Sequence, residues 1–246
     1  MRLLLDIGNS RLKWATETAD GGYATVALDY RRPGFLDDLR RGWLAIDPPQ
    51  TVAIASVSNR TLFESLISLS RSLWPQCRLL LPKASAAAFG VRNAYPRAEK
   101  LGVDRWLAII AAHHHYGGDL CIVDCGTAVT VDVLQADGRH LGGLICPGLH
   151  AMKQALVANT AELDFTAQAY RGGLATATDA AIANGVGAAV TGLIEQTLRN
   201  QAVGYRLLLT GGDAACIAEL LSVPYLLDAE LVLKGMSIFC EGEPRP

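Results

Sequence analysis

The residues Asp6-Ile7-Gly8-Asn9-Ser10 stand at the end of an apolar run, where a strand gives way to a tight turn. An acid beside such a turn can hold a hydrated Mg²⁺, while the turn's N–H groups donate to phosphate oxygens. Arg11 and Leu12 lead into the next strand, and Lys13 lies near enough along it to add a cation. The pattern returns at Asp124-Cys125-Gly126-Thr127-Ala128. Either turn taken alone is also an ordinary glycine hairpin. Two acid-glycine-hydroxyl turns, one in each half of the chain, can face each other across a cleft and grip a polyphosphate from both sides. Later, Thr210-Gly211-Gly212-Asp213 carries a strand into a helix. Glycines there would let a flat adenosine ring approach the backbone, or they simply connect strand to helix.

The elements that position these residues follow from periodicity. RLLLDIG, RLKWATE and YATVALDY read as three short strands of an antiparallel meander. Pro33-Gly34 then opens a helical pattern with Phe35, Leu36, Leu39 and Trp43. TVAIASV reads as a strand, 59–74 as an amphipathic helix with Leu62, Leu66 and Leu69, and CRLLL as another strand. From Leu120 the order begins again with LCIVDCG, AVTVDVLQ and HLGGLICPG. Helices follow at 149–157 and 178–199, then strand YRLLLTGG, helix 214–221, strand PYLLD and a final helix at 231–239. LLLDIGNSRLKWA and CIVDCGTAVTVDV share one strand-turn-strand pattern, which indicates an internal duplication. Gly117-Gly118-Asp119 predicts a boundary, giving domains 1–116 and 117–246. KASAAAFG, at 83–90, is short and fits either element type.

The chain has 246 residues, half of them hydrophobic and 19% charged, enough to bury a core in one or two domains. Its 22 basic and 24 acidic side chains leave a formal charge of −2, which gives no global reason to expect nucleic acid or anionic membrane as a partner. No run approaches the ~18 apolar residues of a membrane span. The start MRLLLDIGN lacks the apolar core of a secretory signal, so a cytoplasmic protein is expected. Six cysteines without a C-x-x-C pair read as buried reduced thiols. His113-His114-His115 has no acidic or Cys partner at metal-ligand spacing and reads as a helix end. Neither a G-x-x-x-x-G-K-[ST] loop nor a strand followed by G-x-G-x-x-G occurs.

Together the two hairpins and the glycine turn resemble the acetate and sugar kinase, Hsc70 and actin superfamily. That resemblance implies an α/β fold of two ribonuclease-H-like domains, with mixed sheets flanked by helices and a nucleotide cleft between them. The series DIGNS, NAYP (93–96), GVDR (102–105), DCGTAVT (124–130), GG-x-I-x-PG (142–148) and TGG, in this order over nearly the whole chain, is similar to the type III pantothenate kinase family. The family implies ATP-dependent phosphorylation of pantothenate to 4′-phosphopantothenate, the first step toward coenzyme A, with Mg²⁺ accompanying ATP. An alcohol is a poor nucleophile at neutral pH, so a positioned carboxylate that takes its proton is useful, and Asp104 is the candidate base. The same residue suits a helix N-cap. By resemblance Gly102, Val103, Asp104 and Arg105 line the pantothenate site. Arg105 offers a fixed cation to the substrate carboxylate or the phosphoryl group, although Arg next to Asp also suits a surface ion pair.

Tyr95 matches a substrate-contacting tyrosine, or packs as a rigid turn before Pro96. Thr178 matches a threonine that reaches substrate at the interface of a homodimer, and it also suits an N-cap. The stretch 6–13 and Thr127 are implied to hold the ATP phosphates. Asp124 corresponds to the ligand of a monovalent cation, K⁺ or NH₄⁺, whose charge would offset repulsion among phosphate oxygens. Ser10 stands where the family usually has Thr, and both supply a hydroxyl. The rival readings are a nucleotide-binding accessory factor for gene expression and another small-molecule kinase of the same superfamily.

Overall fold

The computed structural model describes residues 1–9, 11–18, 21–57, 60–158 and 170–242. The first sheet is built from β1 (Arg2–Ile7), β2 (Leu12–Glu17), β3 (Tyr23–Leu28), β4 (Thr51–Ser56) and β5 (Arg78–Leu80), with α1 (Phe35–Leu44) and α2 (Arg60–Leu73) between its later strands. Strand order is β3-β2-β1-β4-β5, with β1 antiparallel to β2 and parallel to β4. As the central strand, β1 is buried on both faces, which explains its nearly continuous apolar run. Leu3, Leu5 and Ile7 join Phe35, Leu39 and Trp43 of α1 and Leu62 and Leu66 of α2 on one face. Leu4 meets Ala15, Ala53 and Ala55 on the other. Leu36, expected in the α1 stripe, is exposed, because spacing by four selects 35, 39 and 43.

The ambiguous stretch before residue 91 forms part of a small hairpin, β6 (Ala87–Ala88) with β7 (Val91–Arg92). Its two turn residues, Phe89 and Gly90, both take positive φ, 51° and 79°, as a two-residue hairpin turn of this twist requires. The strain at Phe89 is offset by packing of its ring on Phe239, 4.7 Å between centroids.

There follow α3 (Val103–Tyr116), β8 (Leu120–Cys125), β9 (Ala128–Leu134), β10 (His140–Pro147), α4 (Leu149–Ala158), α5 (Thr178–Arg199), β11 (Arg206–Thr210), α6 (Ala214–Ala218), β12 (Tyr225–Leu227) and α7 (Leu231–Glu241). The second sheet has the order β10-β9-β8-β11-β12, the same topology as the first. Cys121, Val123 and Cys125 alternate onto the face covered by Leu149 of α4, Val186, Val190 and Ile194 of α5, and Ile217 of α6. The apolar stretch 180–193 therefore buries one face of α5 within its own chain, while Ala181, Gly185, Ala188 and Gly192 stay exposed.

The chain divides into two compact units. Met1–Gly90, Tyr95–Ala111 and the chain from Glu230 onward form one, and Val91–Ala94 with Ala112–Ala229 the other. The sequence suggested a single cut after Tyr116. The observed division falls inside α3, and the C-terminal helix returns to the first unit. There Leu233, Met236 and Cys240 of α7 pack with Leu4, Ala53, Ala55 and Leu107. Gly235 makes that packing possible, since a Cβ there would overlap the Leu107 carbonyl. No helix among the described residues is long and apolar enough to cross a membrane.

Candidate active site

In the first unit, β1 and β2 end in the turn that carries the first acidic motif. Gly8 N–H donates to the Arg11 carbonyl at 3.1 Å and closes the turn. Ile7 and Leu12, either side of it, are fully buried toward α1 and α2 and anchor the turn to the core. Asn9 and Arg11 are exposed. Ser10 lies outside the described residues. Asp6 sits directly across from Lys13 on β2 and beside Ala55 on β4. By strand alternation Asp6 and Lys13 share the sheet face of Leu4 and Ala15. Val103 and Leu107 of α3 pack on that same face, so the acidic turn and the start of α3 lie on one side of this sheet.

The start of α3 gathers the expected substrate residues. A 3₁₀ turn at Ala98–Lys100 leads to Gly102, whose carbonyl accepts the first helical bond, from Trp106 N–H at 3.0 Å. Asp104 is thus the second helical residue and not the N-cap. It still satisfies an orphan helix amide, because its Oδ1 accepts from Arg105 N–H at 2.7 Å. A Cβ at Gly102 would lie 2.5 Å from that Oδ1, so the carboxylate folds back into the space the glycine leaves. Arg105 is only 5% exposed, which removes the surface ion-pair reading. Its guanidinium donates to the Tyr95 hydroxyl at 3.0 Å and lies 5.8 Å from the centre of that ring. A planar cation held this way suits an anionic group of a substrate.

In the second unit, Asp124 takes the place on β8 that Asp6 takes on β1. Its neighbours across the sheet are Thr130 on β9 and Thr210 on β11, which puts two hydroxyl residues beside one half-buried carboxylate. The turn closes through Gly126 N–H to the Ala128 carbonyl, 3.1 Å, and leaves Thr127 exposed. Two glycines, Gly148 and Gly211, support this turn. Gly148 N–H donates to the Thr127 carbonyl at 2.9 Å, and a Cβ there would overlap the Gly126 carbonyl. Gly211, at φ 94°, packs against the Asp124 carboxylate and the Cys125 backbone, so its smallness serves the turn, whereas Gly212 faces open space and leaves room for a ligand. Thr178 stands on a different element, as the exposed first residue of α5. Ala177 holds the capping position and no side chain caps the helix, contrary to the expected threonine cap.

Thiol chemistry is disfavoured here. Burial, then the charges of Asp124 and Asp213, push the Cys125 thiol far above its ordinary range, and burial with Asp132 pushes Cys121 up to about 12. All six cysteines are free. His113, His114 and His115 occupy the last turn of α3, the expected helix end. Among the described residues no three His, Cys, Asp or Glu side chains are grouped to hold a metal.

The duplicated sheet order defines an α/β fold of two units with one topology, each a mixed sheet flanked by helices. Solved structures agree. A Campylobacter jejuni protein assigned to the Baf family of transcriptional activators shares 23% identity and a TM-score of 0.62, covering 96% of this chain and 95% of its own. A Sinorhizobium meliloti protein assigned as a 2-dehydro-3-deoxygalactonokinase shares 15% and a TM-score of 0.61, with 96% and 95% covered. At such identities the likeness fixes the fold alone. Sequence goes further: the profile of type III pantothenate kinase matches residues 2–200, and the type III pantothenate kinase of Nitrosococcus oceani is 39% identical over 96% of this chain and 92% of that one. The chain belongs to the type III pantothenate kinase family, a family of phosphotransferases.

Proposed function

We propose that the protein transfers the γ-phosphoryl group of ATP to the terminal hydroxyl of pantothenate, giving 4′-phosphopantothenate and ADP. Supporting this reading is the juxtaposition in the first unit of a carboxylate fixed at a helix start, Asp104, with the buried Arg105–Tyr95 pair, on the same side of the sheet as Asp6 and Lys13. Asp104 takes the hydroxyl proton as the new O–P bond forms and the bond to the β-phosphate oxygen breaks. Arg105, oriented by Tyr95, holds the pantothenate carboxylate or the moving phosphoryl group. Lys13 and the turn amides beyond Gly8 would hold phosphate oxygens, Asp6 would hold the Mg²⁺ that accompanies ATP, and Thr127 would add a hydroxyl. Positioning and charge neutralisation carry the rate, with no covalent enzyme intermediate.

Asp124 with Thr130 and Thr210 fits a monovalent cation. One carboxylate among neutral oxygens suits a singly charged ion better than a divalent one, which draws several carboxylates. When bound, K⁺ or NH₄⁺ there supplies positive charge that offsets repulsion among phosphate oxygens. A homodimer, with Thr178 reaching the partner's substrate, is supported by the exposed small residues along α5 and by exposed Leu144 and Ile145 on the edge strand β10. A cytoplasmic location fits a biosynthetic kinase.

Incubating the protein with ATP, Mg²⁺, K⁺ and a panel of acceptors tests the reading. Phosphopantothenate is the expected product. Nucleotide binding without any phosphorylated acceptor points to the accessory-factor reading, and a different phosphorylated acceptor points to another kinase.

A further inference from the structure

We propose that Tyr30, two residues beyond β3, is a positioning residue for the ATP phosphates. The proposal rests on the phosphate role given above to the turn at 8–11. The Tyr30 hydroxyl reaches the Gly8 carbonyl at 3.1 Å and the Asn9 carbonyl as well. A phenol has one proton to donate, so the two carbonyls share it. In a trans peptide the C=O and the following N–H point in opposite directions. Holding the Gly8 carbonyl toward Tyr30 therefore turns the Asn9 N–H to the other side of the turn. Gly8's own N–H is spent on Arg11, which leaves the Asn9 amide as a donor this turn can present.

The arrangement also removes an obstacle. Carbonyl lone pairs facing an incoming triphosphate would repel it, and Tyr30 keeps two of them directed at a donor. The hydroxyl is carried on a firm base, since the Tyr30 ring packs edge-on against Phe35, 6.3 Å between centroids at 73°, and Phe35 is buried in the α1 core. The turn thus has its peptide planes set from outside its own sequence.

Tyr30→Phe keeps the ring and its contact with Phe35 while deleting the hydroxyl. Steady-state kinetics with ATP and pantothenate varied separately, run beside Lys13→Ala, reads the effect. The expected result is an ATP KM raised about five- to tenfold, the typical worth of one hydrogen bond. Pantothenate KM and the melting temperature of the ligand-free protein stay unchanged, and kcat at saturating ATP stays within about twofold. An unchanged ATP KM in Tyr30→Phe, with a raised one in Lys13→Ala, overturns the Tyr30 role and leaves the phosphate role of the turn standing. Unchanged ATP KM in both variants overturns the two together. A lowered melting temperature with both KM values raised makes Tyr30 a structural residue only.

Discussion

Gly102→Ala should disable the enzyme by moving a carboxylate it never touches covalently. The new Cβ would sit 2.5 Å from Asp104 Oδ1, whereas ordinary contacts begin near 3.4 Å, so the carboxylate must withdraw by about 1 Å. Gly102 is not among the glycines with positive φ, and the next nearest atoms to that Cβ, Asp104 Cγ at 3.7 Å and Arg105 Cδ at 3.9 Å, are at ordinary contact distance. The backbone therefore accepts alanine, and the side chain of Asp104 yields. Its 2.7 Å bond to Arg105 N–H weakens, a stability loss of about 1 kcal/mol that the lower entropy of an unfolded alanine chain partly offsets. Catalysis is hit harder, because a 1 Å misplacement of a reacting group can cost about 10²-fold in rate. Turnover by a coupled ADP-release assay, alongside thermal melting, should show kcat down by roughly 10²-fold with the fold intact. Asp104→Asn should lose about as much or more, and the double variant no more than Asp104→Asn alone, since both changes act on one group. Normal turnover in Gly102→Ala, or losses that multiply in the double variant, would refute the reasoning.

Replacing K⁺ by bulky tetramethylammonium should raise the ATP KM of the native enzyme by about tenfold or more, the scale of a charge-assisted contact. Asp124→Asn should remove the response to K⁺ altogether, and a native enzyme indifferent to the cation sinks the Asp124 assignment. Gly211→Ala forces a side chain into positive φ and against the Asp124 carboxylate and Cys125 backbone, so chemical denaturation should show a loss of about 1–3 kcal/mol, while Gly212→Ala, facing open space, changes little. Equal effects at the two positions would contradict the packing described. The thiolate is the reactive form of cysteine, and a pKa raised to about 12 keeps Cys121 protonated throughout the neutral and mildly alkaline range. Iodoacetamide at pH 8 should therefore spare Cys121 and Cys125 in the folded protein and label both after denaturation, as read by peptide mass spectrometry.

Most of the fold could be read because its strands alternate or run apolar at lengths set by a buried sheet. β1 and β8 show it best: each is central in its sheet, each is a short apolar run, and each is interrupted at the same position by an aspartate. Residues whose work is done across distance could not be read. Tyr30 follows the turn it holds by some twenty positions, and nothing in the string Leu28-Asp29-Tyr30 points back to Gly8. Gly211 reads as space for a ligand until the sheet brings β11 beside β8, where a Cβ would run into the Cys125 backbone. The return of α7 to the first unit is hidden for the same reason, because periodicity shows that a helix has an apolar face but not which sheet that face finds. Asp104 and Thr178 suit a helix cap by type, yet each stands within the first two residues of its helix, a shift that a polar residue near a helix start does not reveal.

The duplication itself argues for dividing labour between the two acidic turns. Both aspartates occupy the same rung of the same sheet topology, so any difference between them is chemical and comes from their lateral neighbours. On the first sheet the rung reads Lys13, Asp6, Ala55, a carboxylate faced by a cation with a small apolar residue behind it. On the second it reads Thr130, Asp124, Thr210, a carboxylate flanked by neutral hydroxyls. On the first rung Lys13 stands across from the Asp6 carboxylate, which suits the proposed approach of a phosphate to the turn beyond it. Neither strand position beside Asp124 is a cation, so the proposed K⁺ or NH₄⁺ would supply there the positive charge that Lys13 supplies on the first rung. A proposed cation at Asp124 and a lysine beside Asp6 are then two ways of meeting negative charge, one borrowed from solution and one written into the chain. That is why we expect Lys13→Ala to weaken ATP binding at every K⁺ concentration, and Asp124→Asn to weaken it most where K⁺ is plentiful.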